Sequence, residues 1–354
     1  MLFAAAMMAC NLIPSVNPYE QSFVGILGFI APVLCIINIG FIFFWLFSRK
    51  FLFILIPVFA LFFSWKVFSV LVGGHFLEKQ DTQKASTRFS VMTYNVRLLD
   101  LYHWSGKKET RQNLIQFIKE KNPSILCLQE FYTGNDSVGY DNIGDISDSC
   151  DYEYHAVCNL NINKRGKWGS VIFSHLPIVE ATNHDIDVHG SNMLQQANIS
   201  LAGDTFSIFN IHLKSNKFSS NETDLVDKKV MPSIDDEVIS QSKSIYAKLK
   251  KSSINRGLEA DLVSNIISKN NYPSILCGDL NDIPSSYVYF KMRGKLHDSF
   301  LDKGYGLGAT HAGSIPVLRI DYLFFNPQIH LFGFEKFDVT YSDHYPLMAY
   351  FGLM

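Results

Sequence analysis

Phe23 to Phe47 runs for 25 residues without a charge, and Phe51 to Gly73 follows with a single charge, Lys66, in 23 residues. A helix that crosses a bilayer needs about 20 apolar residues. Both stretches reach that length, and a soluble core rarely needs two such runs in succession. The expectation is therefore a pair of transmembrane helices, about 23–47 and 51–73. Lys66 lies toward the far end of the second run, where a long side chain reaches the interface. Met1 to Ile13 is also apolar, but its 13 residues span only about 20 Å. That is short of the roughly 30 Å hydrocarbon core, so the segment reads as part of a third helix at most. It lacks the basic residues that open a signal peptide.

Arg49 and Lys50 fall in the turn between the two runs. Basic turns stay on the cytoplasmic side. The second helix then exits on the opposite face and places the remainder outside the cytoplasm, in the periplasm of a Gram-negative cell. The polar, aperiodic stretch "EKQDTQKASTR" (78–88) reads as a connector. The expected organisation is a membrane anchor over 1–77, a linker over 78–87 and one large domain over 88–354.

That large domain is not basic. Residues 1–80 hold four Lys/Arg and two Asp/Glu, which leaves 27 and 31 for the rest, a net charge of about −4. Tight nucleic-acid binders carry a basic excess, so only a local patch such as "NKRGKWG" (Asn163 to Gly169) remains for that role. Of six cysteines, Cys127 and Cys277 lie in apolar strand-like runs and read as small buried hydrophobes. Cys150 and Cys158 are close enough in sequence to bridge in an oxidising compartment. No cysteine spacing suggests a zinc site.

Strand-like segments dominate the domain. They are "RFSVMTYNV" (88–96), "SILCLQE" (124–130), "GSVIFSHLPI" (169–178), "DTFSIFNIHL" (204–213), "SILCGDLND" (274–282), "RIDYLFFN" (319–326) and "DHYPLMAYF" (343–351). Thr110 to Lys121 has apolar residues at helical spacing, and Pro123 stops it. Lys214 to Asp235 reads as a long polar loop and Asp236 to Asn270 as mostly helical. Many strands with few helices between them give an α+β class with sheets packed on one another.

Polar residues collect at the ends of these strands. Asn95 and Glu130 end the first two, Asn210 and His212 end another, and Asp279 and Asn281 follow the next. Asp343 and His344 open the last. Each alone reads as a solvated boundary. Asp321 is different, because a lone acid within an apolar run needs a partner.

The ordered set "TYNV", "LQE", "GSVIFSHLPI", "NIHL", "GDLND", "RIDYLF", "SDHYPL" resembles the endonuclease/exonuclease/phosphatase superfamily, the deoxyribonuclease-like fold, over Arg88 to Phe351. The resemblance implies a four-layered α/β sandwich, two face-to-face sheets with helices outside, and a site at its mouth. It also implies divalent metal, Mg²⁺ or Mn²⁺, with Asp343 similar to a second metal ligand. Glu130 and Asn95 are hard oxygen donors suited to such an ion. Asp279 is the candidate to orient or deprotonate the attacking water, with Asn281 fixing the nucleophile or a phosphate oxygen. His212 and His344 would meet phosphate oxygens, and Asp321 would orient His344. Asn210 is the candidate for substrate binding. In the deoxyribonuclease branch the histidine matched by His212 has a carboxylate partner; "KWGSVIFSH" offers no acid there.

Two classes of function follow. One is a membrane-anchored, metal-dependent phosphodiesterase or phosphatase, with an extracytoplasmic nuclease acting on DNA or RNA as its variant. The other is a tethered binding module without catalysis, which the intact residue set disfavours. The expected partners are a phosphate ester (lipid head group or nucleic acid) and the bilayer, with no sign of a protein partner. A short tether places the site near the membrane. The aromatic loops "LYHWSG" (101–106) and "KRGKWG" (164–169) are candidates to dip into its interface.

Overall fold

The computed structural model describes residues 1–75, 87–134, 140–187, 192–216, 236–312 and 318–353. Most of the expected linker and of the loop 214–235 lies outside the described residues. The chain forms two compact units. One comprises Met1–Gly73, Lys214–Ser264 and Asp282–Gly294; the other comprises Gly74–Leu213, Asn265–Asn281 and Lys295–Met354. The expected division near residues 77–88 therefore does not coincide with them, because two later segments join the apolar N-terminus.

The larger unit is an α+β sandwich. Its strands are β1 (Arg88–Asn95), β2 (Ile125–Gly134), β3 (Tyr154–Asn163), β4 (Gly166–Ser174), β5 (Ile178–Asp185), β6 (Met193–Leu201), β7 (Asp204–His212), β8 (Ser274–Asp279), β9 (His297–Asp298), β10 (Asp321–Phe325), β11 (Ile329–Lys336) and β12 (Leu347–Leu353). They form two six-stranded sheets, ordered β11-β12-β1-β2-β4-β3 and β9-β10-β8-β7-β6-β5. Each sheet has one parallel pair, β1–β2 and β7–β8; the other pairings are antiparallel.

Side chains alternate across a strand, and every second residue turns into the sandwich. Phe89 and Val91, Ile125 and Cys127, Phe206 and Ile208, Ile275 and Cys277, Leu323 and Phe325, and Ala349 and Phe351 build one buried cluster from both sheets. The outer face of the first sheet is covered by helices Thr110–Lys121 and Asn142–Cys150, which contribute Leu114, Ile118, Ile146 and Cys150 to a second cluster. Cys150 belongs to that outer layer, whereas Cys158 on β3 places its Sγ 3.6 Å from the Met193 sulfur. All six cysteines are free, so the considered Cys150–Cys158 bridge is absent.

In the other unit, helices α1 (Leu2–Ala9), α2 (Phe23–Phe47), α3 (Phe51–Phe63) and α4 (Trp65–Phe68) pack around Met7, Val24, Ala31, Leu34, Ala60 and Val67. The second apolar run is not one helix. It breaks at the buried Ser64, whose hydroxyl donates to the Met7 carbonyl at 2.9 Å and accepts from Asn11 at 3.3 Å. The 13-residue α3 spans only about 20 Å. Among the described residues one helix, Phe23–Phe47, is long and apolar enough to cross a membrane. A second crossing at 51–73 would need both pieces of that run, α3 and α4.

Candidate active site

The inward face of the sandwich changes character along its strands. Two steps beyond the apolar core it becomes polar but sealed: Gln129 donates to Thr93 at 2.9 Å and to Asn210 at 2.7 Å. The amide of Asn210 donates to the Leu128 carbonyl and to Gln195, both at 3.2 Å. Asn210 is fully buried. Its bonds tie the sheets together, which corrects its expected place in substrate binding.

One step further, the same face carries the candidate residues. Asn95 follows Val91 and Thr93; His212 follows Ile208 and Asn210; Asp279 follows Cys277; Asp321 precedes Leu323. The carboxyl ends of parallel strands are where ligands bind in such sheets, and both parallel pairs end here. In the ladder, Asp279 lies between His212 and Asp321, directly opposite each. Gly278 makes this possible: its φ is +134°, and a Cβ there would sit 2.0 Å from the Ile211 carbonyl oxygen.

Glu130 is out of phase with that alternation. A bulge between Leu128 and Phe131 adds one residue to β2, and Glu130 takes φ +46°. Bulges re-aim side chains beside active sites. Here the bulge brings Glu130 Oε1 to 3.3 Å from Asn95 Nδ2 and 3.5 Å from His212 Nε2.

The groups converge on one oxygen. Asp279 Oδ2 lies 3.1 Å from Asn95 Nδ2, 3.2 Å from Asn281 Nδ2, 3.6 Å from His212 Nε2 and 3.7 Å from His344 Nε2. Its other oxygen accepts the Asn281 N–H at 2.7 Å, with Asn281 in the left-handed region at φ +51°. His212 Nε2 is buried and makes no hydrogen bond. It stands between two carboxylates, Glu130 at 3.5 Å and Asp279 at 3.6 Å, neither of them from "KWGSVIFSH".

Asp321 has its partner: Oδ2 is 2.9 Å from His344 Nδ1, and both side chains are buried. Burial opposes charge on His344, but Asp321 and Asp279 outweigh it and push its pKa up to about 10. The imidazole is thus cationic at neutral pH. Burial, reinforced by Asp321, raises the Asp279 pKa above the ordinary carboxylate value; His344, His212 and the Asn281 N–H pull against that rise.

Asp343 is placed differently. It pairs with Arg97 at 3.3 Å and groups with His311 and His344 within 4.8 Å. A second group within that radius is Asp279, Asp321 and His344. Glu130 belongs to neither. Sequence reading missed His311, whose ring meets His344 edge-on at 5.2 Å. It also missed Thr310, whose hydroxyl accepts the Ile320 and Asp321 N–H groups at 3.0 Å each. Both stand in "GATHAG", where the only signal was a histidine shortly before "RIDYLF".

The donor set suits a hard cation. Glu130 is a partly exposed carboxylate and Asn95 an amide beside it. The Asn95 oxygen accepts the Arg97 N–H at 3.1 Å, so the amide must turn over to offer oxygen to an ion.

Residues 92–344 match the model of the Endonuclease/Exonuclease/phosphatase family, and residues 1–71 match a domain of unknown function. No curated protein matches. Solved structures share the fold. An endonuclease/exonuclease/phosphatase from Beutenbergia cavernae is 16% identical, with TM-score 0.53 over 75% of this chain and 72% of that one. The human Nocturnin catalytic domain is 17% identical, with TM-score 0.54 over 77% and 96%. A mannosyl-6-phosphatase from Bacteroides thetaiotaomicron is 17% identical, with TM-score 0.51 over 74% and 98%. With a family model running through six of the strand ends described above, the protein belongs to the endonuclease/exonuclease/phosphatase family and is a hydrolase of ester bonds.

Proposed function

We propose that the protein is a membrane-anchored, divalent-metal-dependent phosphoesterase that cleaves a phosphodiester or phosphomonoester by in-line attack of water. The observation that carries this reading is the convergence of Asn95, Asn281, His212 and His344 on Asp279 Oδ2. A carboxylate whose pKa is raised toward neutrality is a better general base. Asp279 takes the proton of the attacking water, and Asn281 holds that water or a phosphate oxygen. His344, cationic and aimed by Asp321, donates from Nε2 to a phosphate oxygen as negative charge grows. His212 donates from the other side.

Glu130 and Asn95 hold the metal, Mg²⁺ or Mn²⁺, with Asp343 as a further anionic donor nearby. Such an ion, when bound, supplies Lewis-acid charge at the phosphate. Asn210 is left out of the substrate set.

The anchor rests on outward-facing apolar residues. Phe47, Leu52 and Phe62 are 82%, 78% and 73% exposed. An apolar patch of that kind marks an interaction or membrane surface, and α2 has the length to cross. In the same reading the run 51–73 returns across the membrane as its two pieces, α3 and α4: Arg49 and Lys50 favour the cytoplasm for the α2–α3 turn, and the catalytic unit lies on the opposite side. Tyr102 and Trp104 are exposed, with the Arg97 guanidinium 4.7 Å from the Trp104 ring. Trp168, in contrast, packs on Tyr132 at 5.0 Å. Only the first aromatic loop is therefore offered to an interface. The favoured substrate is a phosphoester presented at the membrane.

Full-length protein with Mg²⁺ should be assayed in parallel on phospholipid and sphingolipid vesicles, plasmid DNA and RNA. Release from vesicles is expected. Efficient DNA cleavage without release from any lipid would replace the substrate with extracytoplasmic nucleic acid.

A further inference from the structure

Helix Asp236–Ser268 connects β7 to β8 in the chain. Within its own unit, it grips the segments that continue from both strands. Arg256, fully buried, donates from Nε to Asp282 Oδ2 at 3.0 Å. From Nη1 it donates to the Lys214 carbonyl at 3.1 Å and to Asn216 Oδ1 at 3.0 Å. Glu259, one helical turn on, accepts the Lys214 N–H at 3.0 Å. Residues three apart share a helix face, so one face takes both backbone polar groups of Lys214. Lys214 is two residues after His212, and Asp282 is one residue after Asn281. A guanidinium fork serves three acceptors at fixed angles; a lysine ammonium does not reproduce it. A charge buried this way stabilises little by itself and is better understood as fixing one arrangement.

A second stripe of the same helix, Ser253, Gly257 and Asp261, is taken by the N-terminal segment. Asn17 donates to the Gly257 carbonyl at 3.2 Å and to Asp261 at 2.7 Å. A Cβ on Gly257 would come within 2.5 Å of Asn17 Oδ1.

We propose that this helix is a brace for catalysis. Arg256 and Glu259 are positioning residues that hold the chain just beyond His212 and Asn281, and Asn17 locks the helix from its other stripe. The apolar N-terminal segment thereby takes part in setting the catalytic geometry. The inference rests on the phosphoester hydrolysis assigned above to His212 and Asn281.

The test uses the full chain in detergent with Mg²⁺ and bis-p-nitrophenyl phosphate, with melting followed alongside. Misplacing catalytic groups costs about 10²-fold in rate. Arg256→Lys is therefore expected to lower kcat by about 10²-fold and leave KM within about twofold. A folded Arg256→Lys protein with normal kcat overturns the brace. If that variant does not fold, Glu259→Gln, which keeps the shape of the acceptor, decides the matter: a kcat loss of about tenfold with KM unchanged supports the brace, and normal kcat overturns it. Gly257→Ala favours the helix by propensity but collides with Asn17. It is expected to lower kcat alone; unchanged kcat removes the N-terminal segment from the mechanism. A wild type inert on this probe and on the substrates above would overturn the phosphoesterase reading itself, and the brace with it.

Discussion

In the sandwich, apolar residues recur at every second position and turn inward from both sheets. In the N-terminal unit they follow one another without a break, and Phe44, Phe47, Leu52, Phe59 and Phe62 turn outward. Alternation sorts the residues of each strand onto two faces, and where the inward apolar series stops the same face goes on to Asn95, His212, Asp279 and Asp321. A continuous run leaves no such series. It has no second face on which to carry polar chemistry; its buried polar residues, Asn38 and Ser64, are hydrogen-bonded within their own unit. The first pattern builds a site; the second builds an outward-facing apolar surface, which the proposed function assigns to the membrane.

If the division of labour holds, damage to the catalytic groups spares the exposed apolar surface, and damage to that surface spares catalysis. Chelation should have the largest effect: EDTA abolishes hydrolysis, and added Mg²⁺ restores it, while partition into vesicles is unchanged. Full turnover in chelator would remove Glu130 and Asn95 from metal binding. Asp279→Asn comes next. It removes the base and should lower kcat by about 10⁴-fold, again with normal membrane association.

Asp321→Asn should cost about 10²-fold in kcat and also move the pH profile. With its pKa at about 10, wild-type His344 keeps its charge through neutral pH. Its stabilising contribution is complete below the ordinary histidine value of about 6.5 and is lost as pH rises through about 10. The alkaline limits of both activity and thermal stability should therefore fall toward neutrality in the variant. A limit that stays near 10 would break the pairing.

The smallest effect on hydrolysis is expected from the apolar surface. Replacing Phe47, Leu52 and Phe62 together with Asp should abolish vesicle partition, since each acid costs about 2.5–3.5 kcal/mol within a bilayer. Turnover of a soluble phosphodiester should stay within about twofold, because exposed side chains outside the site's own unit support none of its contacts. A large loss there would mean that the surface packs against protein.

The sequence made the sheet pattern and most of the candidate site legible for one reason: period-two alternation tells which residues share a face. The same rule misled at Asn210, which shares the face of His212 but lies one step deeper, where the sheets have already closed. Glu130 was recognisable as an acid at a strand end, but the bulge that turns it inward was not, because an extra residue leaves no compositional trace. Thr310 acts through backbone N–H groups at the start of β10, a contact that depends on tertiary placement. The break at Ser64 was hidden for a similar reason, since the hydroxyl's partner is Met7, far back in the chain. The apolar run alone gives no sign of it.

The bond from Asn17 to Gly257 spans 240 residues. During synthesis at about 5–20 residues per second, the first helices emerge roughly 10–50 s before the helix that takes Asn17. For that interval the native partners of Asn17 and Gly25, Gly257 and Ser253, have not yet been made. The order of synthesis is thus set by the chain: the outward-facing apolar residues are made first, and the proposed brace has all its partners only when the chain has passed residue 282.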